Sequence, residues 1–239
     1  MHIYRFWNCR TENFDGQIVH FKAGSNDSPE AAAALVEEKI ALFRQFRQSP
    51  NDREFVQRHQ YTGSYETPIC EELVEKIDDR NIITRNRYGA LVLNSEDHAF
   101  FDIDFDAPLP RETFKRKFLE LIGKLPRRTP EERLHEKIRQ LINDRFPYKS
   151  FRLYRTFKGF RLVTPASAEA SSQEMAAMMT AFLCDQLYMT LCARQNCFRA
   201  RLTPKPRRMK MKTAQRFPFP YPAEREQERL EWLKEYDLM

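Results

Sequence analysis

The chain has 239 residues, of which 41% are hydrophobic, and a formal net charge of +6 at pH 7. This length can bury one substantial core, or a core with a small appended region, and the positive charge favours a polyanionic partner. No stretch approaches the length of an apolar membrane span and the amino terminus is polar, so no membrane partner is expected. The five cysteines are odd in number and form no CxxC pair. They predict free thiols in a reducing, cytoplasmic setting and argue against a Cys/His zinc site.

Residues 1–85 predict an N-terminal α/β lobe. Two strands are expected within the first 22 residues, and the apolar spacing of Pro29–Gln48 predicts an amphipathic helix capped by Ser28. Residues 67–79 predict a second, short helix. No pattern in this lobe indicates a chemical role.

Residues 86–213 predict an α+β core in which a mixed sheet is flanked by helices. A β-hairpin is expected first, its second strand being rich in aspartate, and a second hairpin turns at Lys158-Gly159. The expected elements, in order, are strands at 90–93 and 99–105, helices at about 111–123 and 130–144, strands at 151–157 and 160–164, a helix from about 173, and a strand at 197–202.

The aspartate-rich strand is the most informative feature of this core. Asp102, Asp104 and Asp106 are two residues apart, so on a strand their side chains point to one face. Adjacent carboxylates raise one another's pKa unless a cation lies between them, and oxygen ligands favour Mg²⁺ or Mn²⁺. Alternatively, Asp106 opens a turn and Asp104 pairs with an arginine. The apolar residues on both flanks favour the metal site.

Basic residues concentrate after Asp185, since no acidic residue occurs between it and Glu224. Arg199 and Arg201 alternate with apolar residues, which predicts two guanidinium groups fixed on one face of a strand and suited to phosphate. The other basic residues predict either a nucleic-acid surface or a solvated tail. They are Arg194, Arg207, Arg208, Lys210, Lys212 and Arg216.

The order of these motifs resembles the catalytic core of the archaeo-eukaryotic primases and the related primase-polymerases. Asp102 and Asp104 match the family's first motif, the hairpin at residues 154–163 matches the second, and Cys184-Asp185 matches the third. The resemblance implies an RRM-like core in which Asp102, Asp104 and Asp185 hold two Mg²⁺ or Mn²⁺ ions for nucleotidyl transfer.

The resemblance also implies nucleoside triphosphates and a DNA or RNA strand as partners. The residues implied to contact nucleotide or phosphate are Arg155, Lys158, Gly159, Arg161, Arg199, Arg201 and Lys205. Arg161 stands where the family normally has a histidine that contacts the nucleotide phosphates. Arginine binds phosphate, but it does not exchange a proton at neutral pH.

Two other functions fit the same residues. One is a catalytically inactive, nucleic-acid-binding member of the fold, and the other is a metal-dependent nuclease or phosphohydrolase that uses the same carboxylates. Residues 214–239 form a third segment, with an extended proline and aromatic stretch followed by a charged helix. This segment either clamps onto its own domain or docks a protein partner. Replication, repair, a mobile element and antiviral defence are all compatible settings.

Overall fold

The computed structural model describes residues 1–48, 67–109, 114–211, 219–221 and 223–238. Lys212, Arg216 and the side chain of Arg207, which were predicted to form part of a nucleic-acid surface, lie outside this description. The chain divides into two compact units. The first unit comprises residues 1–95 and 199–239, and the second unit comprises residues 96–198. The boundaries therefore differ from those of the three predicted segments, 1–85, 86–213 and 214–239.

The protein is α+β, and three sheets and several helices lie within the described residues. The strands are β1 (Phe6–Phe14), β2 (Gln17–Ser25), β3 (Glu72–Lys76), β4 (Asn81–Arg85), β5 (Leu91–Ser95), β6 (His98–Asp104), β7 (Arg152–Arg155), β8 (Gly159–Pro165) and β9 (Phe198–Arg201). The α-helices are α1 (Pro29–Gln48), α2 (Phe114–Leu121), α3 (Pro130–Arg145), α4 (Gln173–Ala181), α5 (Gln186–Gln195) and α6 (Glu226–Asp237), with short 3₁₀ helices at Pro206–Met209 and Ala223–Arg225.

The first unit begins with a β1–β2 hairpin covered by α1. The apolar stripe of α1 buries Val36 and Ile40 against Phe21 and Ala23 of β2. The predicted cap is confirmed, because the Ala31 N–H donates to the Ser28 hydroxyl at 3.1 Å.

The second sheet of this unit has the order β3-β4-β5-β9. The helix predicted for residues 67–79 is wrong, since β3 pairs antiparallel with β4. Strand pairing therefore overrides the local helical pattern. The hairpin predicted between β5 and β6 is also wrong. Both edges of β5 are occupied, by β4 and β9, and β6 pairs with β8 instead.

The second unit contains the three-stranded antiparallel sheet β6-β8-β7 together with helices α2 to α5. Its core includes the rings of Phe101 on β6 and Phe182 after α4, with centroids 5.2 Å apart. Helix α3 begins as predicted. The Thr129 side chain accepts from the Glu132 N–H, and the Glu132 carboxylate accepts from the Thr129 N–H. Pro130 occupies the first turn. The second predicted hairpin is present as β7 and β8.

No helix in the described part of the chain has the length and apolar character needed to span a bilayer. All five cysteines lie in that part and are free thiols, as predicted.

Candidate carboxylate site

Strand β6 presents its aspartates as the alternation predicted. Asp102 and Asp104 are accessible, whereas Ile103 between them is only 1% exposed and belongs to the core. The strand ends at Asp104, and the chain turns there, with the Ala107 N–H donating to the Asp104 carbonyl at 3.0 Å. Asp106 therefore lies in the turn, which was the alternative considered for it.

Asp102 is held by Arg161. The two residues are directly opposite in the β6–β8 register, and Arg161 donates from Nε and Nη2 to the two carboxylate oxygens at 2.6 and 2.8 Å. Burial alone would lower the pKa of Arg161, but its hydrogen bonds and ion pair with Asp102 offset this, and its pKa is raised. Arg161 is thus charged, and it compensates the charge of Asp102.

Asp185 approaches the same region from a different element. It is the N-cap of α5, and its carboxylate accepts from the Tyr188 N–H at 2.8 Å. The Tyr188 hydroxyl donates to the carbonyl of Phe100 on β6 at 2.9 Å, which ties the first turn of α5 to the strand. Asp185 is therefore not on the surface of a continuous helix, because the chain breaks between α4 and α5, where Leu183 has a φ of 59°.

Asp104 is the carboxylate whose pKa the other negative charges of the site affect. Its pKa is raised, first by partial burial and then by the charges of Asp106, Asp102 and Asp185, while Lys158 acts in the opposite direction. Carboxylates from a strand, a turn and a helix cap thus act on one side chain. Such an excess of like charge favours a bound cation.

The donor chemistry of the site fits Mg²⁺ or Mn²⁺, which prefer carboxylate oxygens. The arrangement is not a ready-made metal centre, since no three His, Cys, Asp or Glu side chains among the described residues are grouped to hold an ion. Both oxygens of Asp102 are engaged by Arg161, and one oxygen of Asp185 caps α5. A cation at Asp104 would have to displace Arg161 to gain Asp102 as a ligand, whereas Asp185 could offer the oxygen that does not cap α5.

The β7–β8 hairpin supplies the other predicted residues of the second unit. Arg155 is not free for phosphate, because it pairs with Glu131 at 2.6 and 2.9 Å. Gly159 lies directly opposite Asp104, and a Cβ there would lie 1.9 Å from the carbonyl oxygen of Ile103. Close approach of two strands, rather than a positive φ, explains this glycine.

The predicted phosphate-binding residues Arg199, Arg201 and Lys205 belong to the first unit. Arg199 donates to Asn94 at 2.8 Å and to Glu71, and its side chain is only 15% exposed. Arg199 therefore has a structural role that sequence reasoning missed, because Glu71 lies 128 residues away in the chain. The predicted basic residues Arg194, Arg201, Arg208 and Lys210 are exposed.

Comparison with protein-family models found no matching family, and comparisons with curated proteins and with solved structures found no match. Function is therefore inferred from the side chains of the site.

Proposed function

We propose that the chain is a metal-dependent nucleotidyltransferase of the primase-polymerase type, which adds nucleotides to a DNA or RNA strand. The observation that supports this most is that the charges of Asp106, Asp102 and Asp185 all raise the pKa of Asp104, which lies at the end of the aspartate-rich strand. Grouping like charges costs free energy, and such groups are enriched at functional sites. In this proposal the β6-β8-β7 sheet and its helices form an RRM-like catalytic core.

Asp104 and Asp185 would hold the cation, and Asp102 would join them on leaving Arg161. When bound, Mg²⁺ or Mn²⁺ would lower the pKa of the attacking strand hydroxyl and stabilise the charge on the α-phosphate and on the departing pyrophosphate. Arg161, once released, and Lys158 lie on the same hairpin and would bind the oxygens of the nucleoside triphosphate. The free thiols are compatible with the reducing, cytoplasmic setting expected from the sequence.

A second function is supported by the pairing of Asp102 with Arg161. In a catalytically inactive, nucleic-acid-binding member of the fold, the guanidinium would replace the cation as the permanent counter-charge of the first-motif carboxylate. Such a protein would bind a strand through its basic surface without a metal ion.

An extension assay separates these functions. The purified chain is incubated with Mg²⁺ or Mn²⁺, labelled nucleoside triphosphates, and a primed or unprimed template. Nucleotidyl transfer predicts a longer labelled strand, and Asp104→Asn should reduce product formation by at least about 10²-fold. The matched control is Asp144→Asn, which removes an exposed aspartate from α3 and should leave the rate unchanged.

Three other outcomes count against transfer. A shortened strand would indicate a nuclease that uses the same carboxylates. Strand binding that needs no metal and is insensitive to Asp104→Asn would indicate the inactive, nucleic-acid-binding protein. Absence of Mg²⁺ or Mn²⁺ binding to the intact chain by calorimetry would remove the metal site itself.

A further inference from the structure

A cleft lies in the helical part of the second unit, and its lining contains none of the residues of the sequence motifs described above. It has a volume of about 210 Å³. It is lined by side chains from α2, from α3 and from the loop between them, and by Leu109, which precedes α2. Four cationic side chains line it, namely Arg116, Arg128, Arg133 and Lys137. None of the four was assigned a role by the sequence patterns.

The negative charges near this cleft are already compensated. Glu120 pairs with Arg116 at 3.1 Å along α2. Glu136, the acidic residue of the lining, accepts from Arg139 at 2.9 and 3.0 Å and from Gln140 at 3.1 Å. The hydrogen bonds and charge of Arg139 are the main reason that the pKa of Glu136 is lowered. The surplus charge of the lining is therefore positive.

Arg128, in the loop before α3, carries part of that surplus, and Arg133 and Lys137 carry the rest. The latter two are four residues apart on α3, so their side chains emerge next to each other on one helix face. Within the described ranges, neither pairs with a carboxylate, and the Nε of Arg133 is buried without a hydrogen-bond acceptor. A buried donor left without an acceptor is destabilising, and an acceptor that reaches it from the cleft would remove this penalty.

We infer that this cleft binds phosphate groups, with Arg133 and Lys137 as its principal donors. The planar guanidinium suits two oxygens of one phosphate, and the adjacent ammonium adds a point charge. Two sources share this chemistry: a free polyphosphate and the backbone of a nucleic-acid strand. The inference does not depend on the carboxylate site, because no metal ion and no catalysis are involved.

The test measures binding in the presence of EDTA, with tripolyphosphate as one probe and a short, labelled single-stranded oligonucleotide as the other. The variant combines Arg133→Gln with Lys137→Gln. The control combines Arg145→Gln with Lys149→Gln, which removes the same charge beyond the cleft. We expect the cleft variant to bind at least one probe about tenfold more weakly and the control to bind nearly as well as wild type. For the oligonucleotide, the slope of log K against log salt should fall by about 1.4.

Each result of this test has a definite meaning. Loss of tripolyphosphate binding alone identifies a small phosphate ligand, and loss of oligonucleotide binding alone identifies the strand backbone. Equal weakening in the control variant, or unchanged binding of both probes, would overturn the inference. If thermal unfolding shows that the double variant does not fold, Lys137→Gln alone provides the same comparison with Arg133 in place. None of these readouts depends on nucleotide transfer, so failure here is separate from failure of the proposed function.

Discussion

The two units of the chain differ in how fully their partly buried charged side chains are paired with opposite charges. In the first unit, Arg199 is matched by Glu71, and the network is closed by hydrogen bonds from neighbouring strands. In the second unit, Arg161 matches Asp102 in the same way, but Asp104 remains close to further carboxylates. Pairing and hydrogen bonding avoid the cost of an uncompensated buried charge, whereas an excess of one charge weakens the fold. The difference indicates that the Arg199–Glu71 network supports the fold. The carboxylates around Asp104 destabilise the fold instead, and a functional role for them would explain why they are grouped.

The largest expected effect tests the strand geometry beneath the carboxylates. In Gly159→Ala, the new methyl group would meet the backbone of Ile103, so β6 and β8 would have to separate beside Asp104. We expect the free energy of unfolding to fall by about 3 kcal/mol, measured by urea denaturation. Gly123→Ala is the control, because its added methyl group has open space and only its φ of 71° is unfavourable. It should cost about 1 kcal/mol, and equal losses for the two variants would contradict the close-approach explanation.

Arg199→Met tests whether the first network is structural. It would leave the Glu71 carboxylate without its cationic partner. The missing charge would be felt strongly, because the side chains of the intact pair are only 15% exposed for Arg199 and 14% exposed for Glu71. Without any nucleotide present, we expect the free energy of unfolding to fall by about 3 kcal/mol. Arg201→Met, on the exposed end of the same strand, should change it by less than about 0.5 kcal/mol. If the Arg199→Met protein is stable but no longer binds nucleotide, the prediction that Arg199 binds phosphate would be supported instead.

Asp102→Asn sharpens the comparison between the two arginine pairs. Asp102 is 36% exposed, so solvent screens the pair, and the loss of stability should be only about 1 kcal/mol. A double-mutant cycle with Arg161→Gln isolates the coupling between the two side chains. A coupling as large as that of Arg199 with Glu71 would mean that the second network is as structural as the first, and it would favour the inactive, nucleic-acid-binding protein.

The smallest effect concerns the pH dependence contributed by Asp104. Its pKa is raised in the folded chain, so the folded state binds this proton more tightly than the unfolded state does. Stability is therefore lost as the pH rises from the ordinary aspartate pKa of about 4 through the raised value. In EDTA at pH 7, Asp104→Asn should stabilise the chain by a few tenths of a kcal/mol, because the group is accessible and screened. The gain should vanish below about pH 4 in thermal unfolding, and a variant that is less stable at pH 7 would contradict the repulsion.

Features of the fold that depend only on residues close together in the sequence were predictable. The alternation of Asp102, Ile103 and Asp104 is confirmed because strand geometry fixes which face each residue occupies. The boundaries of α1 and the start of α3 follow from capping residues and a proline beside an apolar periodicity. The second hairpin was also predictable, since β7 and β8 are separated by a short turn.

Strand partners were not predictable in the same way. Residues 67–79 contain a strand because β4 pairs with it, and the expected β5–β6 hairpin is absent because β5 is already bordered on both sides. Pairing of this kind depends on segments far apart in the chain. The sequence pattern carried no signal for it.

By itself, the sequence determined that an acidic strand, a capped helix and a basic stretch between Asp185 and Glu224 would exist. These features depend on the spacing and composition of neighbouring residues. The tertiary structure decided which charges are compensated. It placed Arg161 opposite Asp102, paired Arg199 with Glu71, and made Asp185 the N-cap of α5, where its charge raises the pKa of Asp104. The strength of a charge interaction depends on distance and burial, and both are set only when distant segments pack together.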